Sequence, residues 1–238
     1  MNGIKLISTG SAVPKKVVTN DDLAKIADTN DEWISTRTGI RSRRYCTDGE
    51  SHTSLCLAAA RQALERGGVA PGEIGICLVA TVTPDFLSPA AACLLQKELG
   101  FPEDTICFDL NAACSGFVYG LHTAQALLAA SPRKYGLVVC SEVLTRITNY
   151  TDRGTCILFG DGAAAAVVEY GETYPPMPTV LGARGTWDIL NGPGINRGAE
   201  PVLYMEGTAV FRFAVETVPR CMDQVLDRAG LALEDVDE

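Results

Sequence analysis

Three observations predict a layered α/β fold. Short apolar runs at 74–81, 105–110 and 135–141 read as buried strands. Segments with helical spacing at 53–66, 89–99 and 115–130 alternate with them. The chain has 238 residues, 47% of them hydrophobic, which suffices for a full core. Strands and helices in this alternation give a mostly buried sheet covered by helices.

Each element has a local reason. Residues 3–9 alternate as a strand, and 20–27 and 30–38 read as short helices capped by Asn and Asp. The helix at 53–66 is closed by Gly67 and Gly68, the usual C-terminal stop. The strand at 105–110 feeds a break at Asn111-Ala-Ala, after which the helix 115–130 begins. Two further strand-like runs follow at 156–159 and 163–170. Residues 171–178 form a Pro-rich connector. Beyond it, 180–183 and 202–205 read as strands flanking a Gly-rich loop, and 207–229 as a long helix.

The candidate nucleophile is Cys114, at the turn between a strand and a helix. Unpaired N–H groups and the positive end of the helix dipole stabilise a thiolate there. Ala112, Ala113, Ser115 and Gly116 leave room for a substrate to approach. The nine cysteines are scattered without CxxC pairs, several inside apolar runs, which points away from zinc or disulfides and toward a reducing cytoplasm. No apolar run of membrane-spanning length occurs, and the N-terminus lacks the apolar region of a signal peptide. The net charge of -9 argues against nucleic acid as a partner. The run Phe159-Gly-Asp-Gly-Ala163 fits neither a dinucleotide fingerprint nor a P-loop, and reads as a tight turn into a buried strand.

The run Asn111-Ala-Ala-Cys114-Ser-Gly-Phe117 resembles the nucleophile motif of the β-ketoacyl-acyl-carrier-protein synthase III family. Residues 28–41, 89–93, 151–155 and 159–163 resemble other stretches of that family, in the same order. The resemblance implies a thiolase-like layered α/β/α fold of two halves. Residues 1–170 would be the N-terminal half carrying the cysteine, and 171–238 the start of a C-terminal half. The 68 residues after 170 are too few for a second half of equal size, so the chain reads as truncated.

The implied activity is acyl transfer from acyl-coenzyme A to Cys114, then decarboxylative condensation with malonyl-acyl carrier protein, in a cytoplasmic homodimer. Acyl-coenzyme A is a substrate, and no cofactor or metal is implied. By the resemblance, Trp33 and Arg153 sandwich the coenzyme A adenine, Thr29 and Gly154 contact its head group, and Arg37 meets its phosphates. Arg37, Arg41, Arg43 and Arg44 together form a basic run suited to phosphate. Leu144, Phe159 and Phe211 match acyl-pocket positions, and Arg212 matches a carrier-docking residue. In the family the loop around 83–89 caps the neighbouring subunit's acyl tunnel with a bulky aromatic. Here Ser88 stands in that place, so a longer or branched primer is admissible unless Phe86 fills the gap.

The family's site also uses a histidine and an asparagine from the second half. The two histidines here are His52 and His122. His122 lies eight residues past Cys114, roughly 12 Å along a helix axis, which is out of hydrogen-bond reach. Condensation by these 238 residues alone is therefore not expected. Two other readings stay open: a related polyketide or secondary-metabolite condensing enzyme, and an inactive remnant that only binds acyl-coenzyme A or dimerises.

Overall fold

The computed structural model describes residues 2–194 and 202–237. In chain order the elements are β1 (Gly3–Ala12), β2 (Lys16–Thr19), α1 (Asn20–Leu23), α2 (Asp31–Thr38), β3 (Ser42–Tyr45), α3 (His52–Gly67), β4 (Ile74–Ala80), α4 (Ala91–Leu99) and β5 (Ile106–Leu110). They continue with α5 (Gly116–Leu128), β6 (Tyr135–Val143), β7 (Asp161–Gly171), β8 (Leu190–Asn191), β9 (Tyr204–Met205) and α6 (Gly207–Ala229).

Five strands form one sheet in the order β1-β7-β6-β4-β5. β4 pairs in parallel with both β5 and β6, while β7 runs antiparallel to β6 and β1. β4 lies at the centre of the parallel part, and all seven of its residues are buried. That explains its unbroken apolar run, since a strand covered on both faces has no polar alternation to show. On one face α3 and α4 pack Leu55, Ala59, Ala63 and Leu95 against Cys77, Val79, Leu137, Val139 and Val167. On the other, α5 packs Ala124 and Leu128 against Ile76, Leu78, Val138 and Val168. Each large aliphatic buried this way contributes about 1.5–3 kcal/mol.

The caps are close to those expected. Ser51 caps α3, whose end is set by Gly68 in the left-handed region at φ 62°. Asn30 caps α2 through the Trp33 N–H at 2.8 Å. α1 is shorter than the expected helix at 20–27, and its cap is Thr19. Asn20 instead buries its amide, donating to Asp31 and to the Ile40 carbonyl.

Three expectations need correction. Residues 156–159 carry no strand, and 156–158 form a turn, because the Thr155 and Cys156 N–H groups bond back to the Asp152 carbonyl. Their apolar side chains still serve a core, as Cys156 and Ile157 pack with Val18, Leu23 and Ile34. Residues 180–183 carry no strand, and 202–205 reduce to the two-residue β9 paired with β8. Part of the Gly-rich loop between them lies outside the described residues. The third correction concerns the basic run. Ser42–Tyr45 is β3, hairpin partner of β2, and Arg43 within it is buried. Its guanidinium donates to the Val18 carbonyl, Asn20 and the Ile157 carbonyl, so it pins three segments and faces no phosphate. Arg44 donates to the Pro14 and Lys15 carbonyls, and Arg41 pairs with Asp31.

α6 forms as the sequence predicts, with none of its residues buried. Its Phe213 meets the Arg184 guanidinium at 4.9 Å, and Arg228 donates to the Thr179 carbonyl. The Tyr119 hydroxyl ties the same segment to α5 by donating to the Gly182 carbonyl at 2.9 Å. Among the described residues no helix is long and apolar enough to cross a membrane.

Candidate active site

Cys114 is exposed at the C-terminal end of the parallel strands. β5 ends at Leu110, a 3-10 turn covers Ala113–Ser115, and α5 starts at Gly116. Ala113 takes φ 43°, a left-handed conformation that costs an L-residue about 1–2 kcal/mol. Ser115 gives α5 no side-chain cap; its own N–H bonds to the Ala112 carbonyl at 3.0 Å and the Gly116 N–H to the Ala113 carbonyl, within the 3-10 turn that leads into the helix. The positive end of the α5 dipole, equivalent to about half a charge, lies beside Cys114.

Small residues set the helix close to the sheet. A Cβ on Gly116 would lie 2.7 Å from the Ala80 Cβ, and one on Gly120 would lie 2.7 Å from Val138 Cγ1. Both distances fall inside van der Waals contact. The strand that leads to the nucleophile is anchored as well. Asp109 on β5 accepts the Ala91 and Ala92 N–H groups at 2.7 and 2.9 Å, capping α4, whose own N-cap is an alanine.

A cavity of about 360 Å³ opens over Cys114, lined among others by Ala80, Phe117, Cys140, Glu142 and Gly162. Cys140 shares this cavity, but burial first and the nearby Glu142 second push its thiol up to about 11. Burial pushes Cys56 up to about 12. Both stay protonated near neutrality and are poor nucleophiles.

Neither histidine reaches the thiol. His122 is an exposed α5 residue. His52 is fully buried at the start of α3, with Nε2 3.2 Å from the Ser141 carbonyl oxygen and Nδ1 3.7 Å from the Cys56 sulfur. It faces the side of the sheet opposite the cavity, and burial holds its pKa below the usual imidazole value. It is a core residue at a helix start.

Thr29, Trp33, Arg37, Arg153 and Gly154 come together on one surface. The Arg37 and Arg153 guanidinium carbons lie 4.5 and 4.9 Å from the Trp33 ring centroid. Arg153 also donates to the Asp28 carbonyl at 3.3 Å and pairs with its carboxylate at 3.7 Å. The Gly154 N–H is held by Asp152, and the Thr29 hydroxyl is buried without a partner. Leu144 follows β6 in the 3-10 turn Leu144–Arg146 and is half-buried, as is Phe159. Phe211 and Arg212 are on α6, and Phe211 is 70% exposed. Leu144, Phe159 and Phe211 are not among the residues that line the Cys114 cavity.

Asp161 and Glu142 escaped the sequence reading as working groups. Asp161 was read only as part of a turn. No turn forms there: Asp161 opens β7, and its carboxylate accepts the Cys46 N–H and both the N–H and hydroxyl of Thr145. These partners come from distant segments, so local sequence carries no signal of them.

The five-stranded sheet, its covering helices and the cysteine at their junction define a thiolase-like acyltransferase. A family model described as 3-oxoacyl-[acyl-carrier-protein (ACP)] synthase III matches residues 108–185, which include Cys114. β-Ketoacyl-[acyl-carrier-protein] synthase III of Clostridium acetobutylicum is 42% identical, over 100% of this chain and 75% of its own length. The 3-oxoacyl-[acyl-carrier-protein] synthase III structure from Aquifex aeolicus superposes with a TM-score of 0.90 at 37% identity, covering 98% of this chain and 74% of that one. The priming β-ketosynthase of the R1128 polyketide biosynthetic pathway gives 0.84 at 32% identity, with coverages of 97% and 79%. The chain belongs to the β-ketoacyl-[acyl-carrier-protein] synthase III family, the condensing acyltransferases that begin fatty-acid synthesis. It spans about three quarters of the length of these relatives.

Proposed function

We propose that Cys114 accepts a short acyl group from acyl-coenzyme A, the first half of the family's condensation with malonyl-acyl carrier protein; neither His52 nor His122 reaches Cys114 to serve the second half. The thiolate attacks the thioester carbonyl, the tetrahedral oxyanion collapses, and coenzyme A leaves as its thiol. In the family's second half, loss of carbon dioxide from the malonyl group supplies the carbanion that attacks the acyl-cysteine carbonyl, the carbon–sulfur bond breaks, and the cysteine leaves as thiolate. One observation carries this reading: an exposed cysteine stands before an uncapped helix N-terminus, in a cavity of about 360 Å³. The positive end of the α5 dipole favours the oxyanion that develops on the acyl carbonyl.

Coenzyme A binds across Trp33, Arg37 and Arg153, with Thr29 and Gly154 at its head group. The close Arg153–Trp33 contact leaves no space for an adenine, so Arg153 swings aside when the ring enters. Its tether to Asp28 is an exposed ion pair, worth at most about 1 kcal/mol, which makes that movement cheap. Leu144, Phe159 and Phe211 serve the acyl chain, and Arg212 the carrier. The enzyme works as a cytoplasmic homodimer with no added cofactor. Phe86 and Leu87, 57% and 76% exposed on the 81–90 loop, support that assembly because a large apolar tip in water favours a partner surface.

Incubation with acetyl-coenzyme A should add one acetyl mass to the Cys114 peptide. Labelling of another cysteine with Cys114 untouched would overturn the assignment. The likeness to the polyketide priming enzyme favours a second reading, a polyketide condensing enzyme, and the small Ser88 fits a longer or branched primer there. Acylation by hexanoyl- or isobutyryl-coenzyme A faster than by acetyl-coenzyme A would favour it.

A further inference from the structure

The cavity over Cys114 has one acidic wall residue, Glu142, which no reading of the sequence singles out. It lies next to last in β6, opposite Gly162 of β7. Its carboxylate points at the segment that leaves β4. Oε1 accepts the Val82 N–H at 2.9 Å. Oε2 accepts the Thr81 hydroxyl at 3.3 Å and the Thr83 hydroxyl in a short bond. Thr83 Oγ1 in turn accepts the Val143 N–H at 2.8 Å, which closes the ring on the residue after Glu142. Both threonines are buried, and burial raises the Glu142 carboxyl above its ordinary value in spite of the donors around it.

Isolated burial of a carboxylate is costly, and it persists where several donors converge on it. Here the donors come from one three-residue segment, and the neighbour of that segment is Ala80. Ala80 is the residue against which Gly116 seats, and it lines the cavity with Cys114. The Thr81 N–H also bonds to the Leu110 carbonyl at 3.1 Å, at the end of the strand that leads to the nucleophile. The clamp therefore joins the ends of β4, β5 and β6 around one thiol.

We propose that Glu142 is a positioning residue for acyl transfer: through Thr81, Val82 and Thr83 it fixes the cavity wall that seats α5 and aims Cys114. The role is geometric and does not need a negative charge. A glutamine keeps an acceptor for Val82 and a polar group for the hydroxyls, whereas alanine removes all three bonds. The inference rests on Cys114 being the acyl acceptor.

The test is single-turnover acetylation of Cys114 by acetyl-coenzyme A, followed by mass spectrometry, in the parent chain, Glu142→Ala, Glu142→Gln and Thr83→Val. Glu142→Ala should slow the maximal rate by about tenfold or more, with the half-saturating acetyl-coenzyme A concentration changed by less than about threefold. Glu142→Gln should recover to within about threefold of the parent rate, the rescue expected of a geometric clamp. Thr83→Val, which breaks two bonds of the same ring without touching the carboxylate, should be slowed as Glu142→Ala is. It decides the matter if the alanine variant does not fold. A parent rate in Thr83→Val, or a glutamine variant as slow as the alanine one, would overturn the clamp. A parent chain in which Cys114 takes no label would overturn the nucleophile itself, and the clamp with it.

Discussion

Replacing Gly116 by Ala tests whether close seating of α5 is what aims the nucleophile. The added Cβ would lie 2.7 Å from the Ala80 Cβ, against an optimum of about 3.5–4.0 Å between carbons. The start of α5 must therefore retreat by about 1 Å, and the retreat occurs two residues from Cys114. Overpacking of this kind costs about 1–3 kcal/mol. At about 2–4 °C per kcal/mol for a chain of this size, Tm should fall by several degrees. A 1 Å misplacement of a reacting group costs about a hundredfold in rate, so acetylation of Cys114 should slow far more than the stability loss alone implies. Gly120→Ala is the matched control. Its Cβ would meet Val138 Cγ1 at the same 2.7 Å, one helical turn further from the thiol. It should lower Tm similarly and slow acetylation much less. If Gly116→Ala acetylates at the parent rate, or if both variants slow equally, the link between seating and reactivity is wrong.

Trp33→Ala should raise the apparent KM for acyl-coenzyme A about tenfold, the equivalent of about 1.4 kcal/mol of lost stacking, with maximal acetylation nearly unchanged. An unchanged KM in a folded variant would remove Trp33 from the coenzyme A surface. His52, whose pKa burial holds below the usual imidazole value, gives a pH signature in stability. Its folded pKa lies below the unfolded value of 6.5, so its contribution is complete above pH 6.5 and is lost as pH falls through the folded pKa. Urea midpoints between pH 8 and 5 should fall more steeply for the parent chain than for His52→Gln, and parallel curves would refute that account.

How much could be read from the sequence depended on where each residue's partners lie. β4 was legible because a strand covered on both faces is apolar at every position, and α3 because its helical spacing and the Gly67-Gly68 stop are local signals. The elbow at Cys114 was legible for the same reason: a strand, three small residues and a helix succeed one another within a dozen positions. Arg43 was not, since its three acceptors sit on segments that only the folded chain brings near. The hairpin of β2 and β3 was missed with it, because charged residues in a short strand look like a solvated loop until their partners are known. Residues 156–159 misled in the opposite sense. Their apolar side chains report burial, while the backbone follows the bonds to Asp152. Glu142 gave no signal at all, with its three donors about sixty positions away.

The left-handed turn at Ala113 bears on the timing of the reaction. A residue held at φ 43° is not where a free chain would rest, so the rearrangement that turns the thiol outward is completed during folding. The thiol is already exposed in the ligand-free chain, so this part of its geometry is set before substrate arrives. In rate-theory language, reorganisation is moved out of the activation barrier and into the folding equilibrium, where it weakens the native state by about 1–2 kcal/mol and costs each turnover nothing.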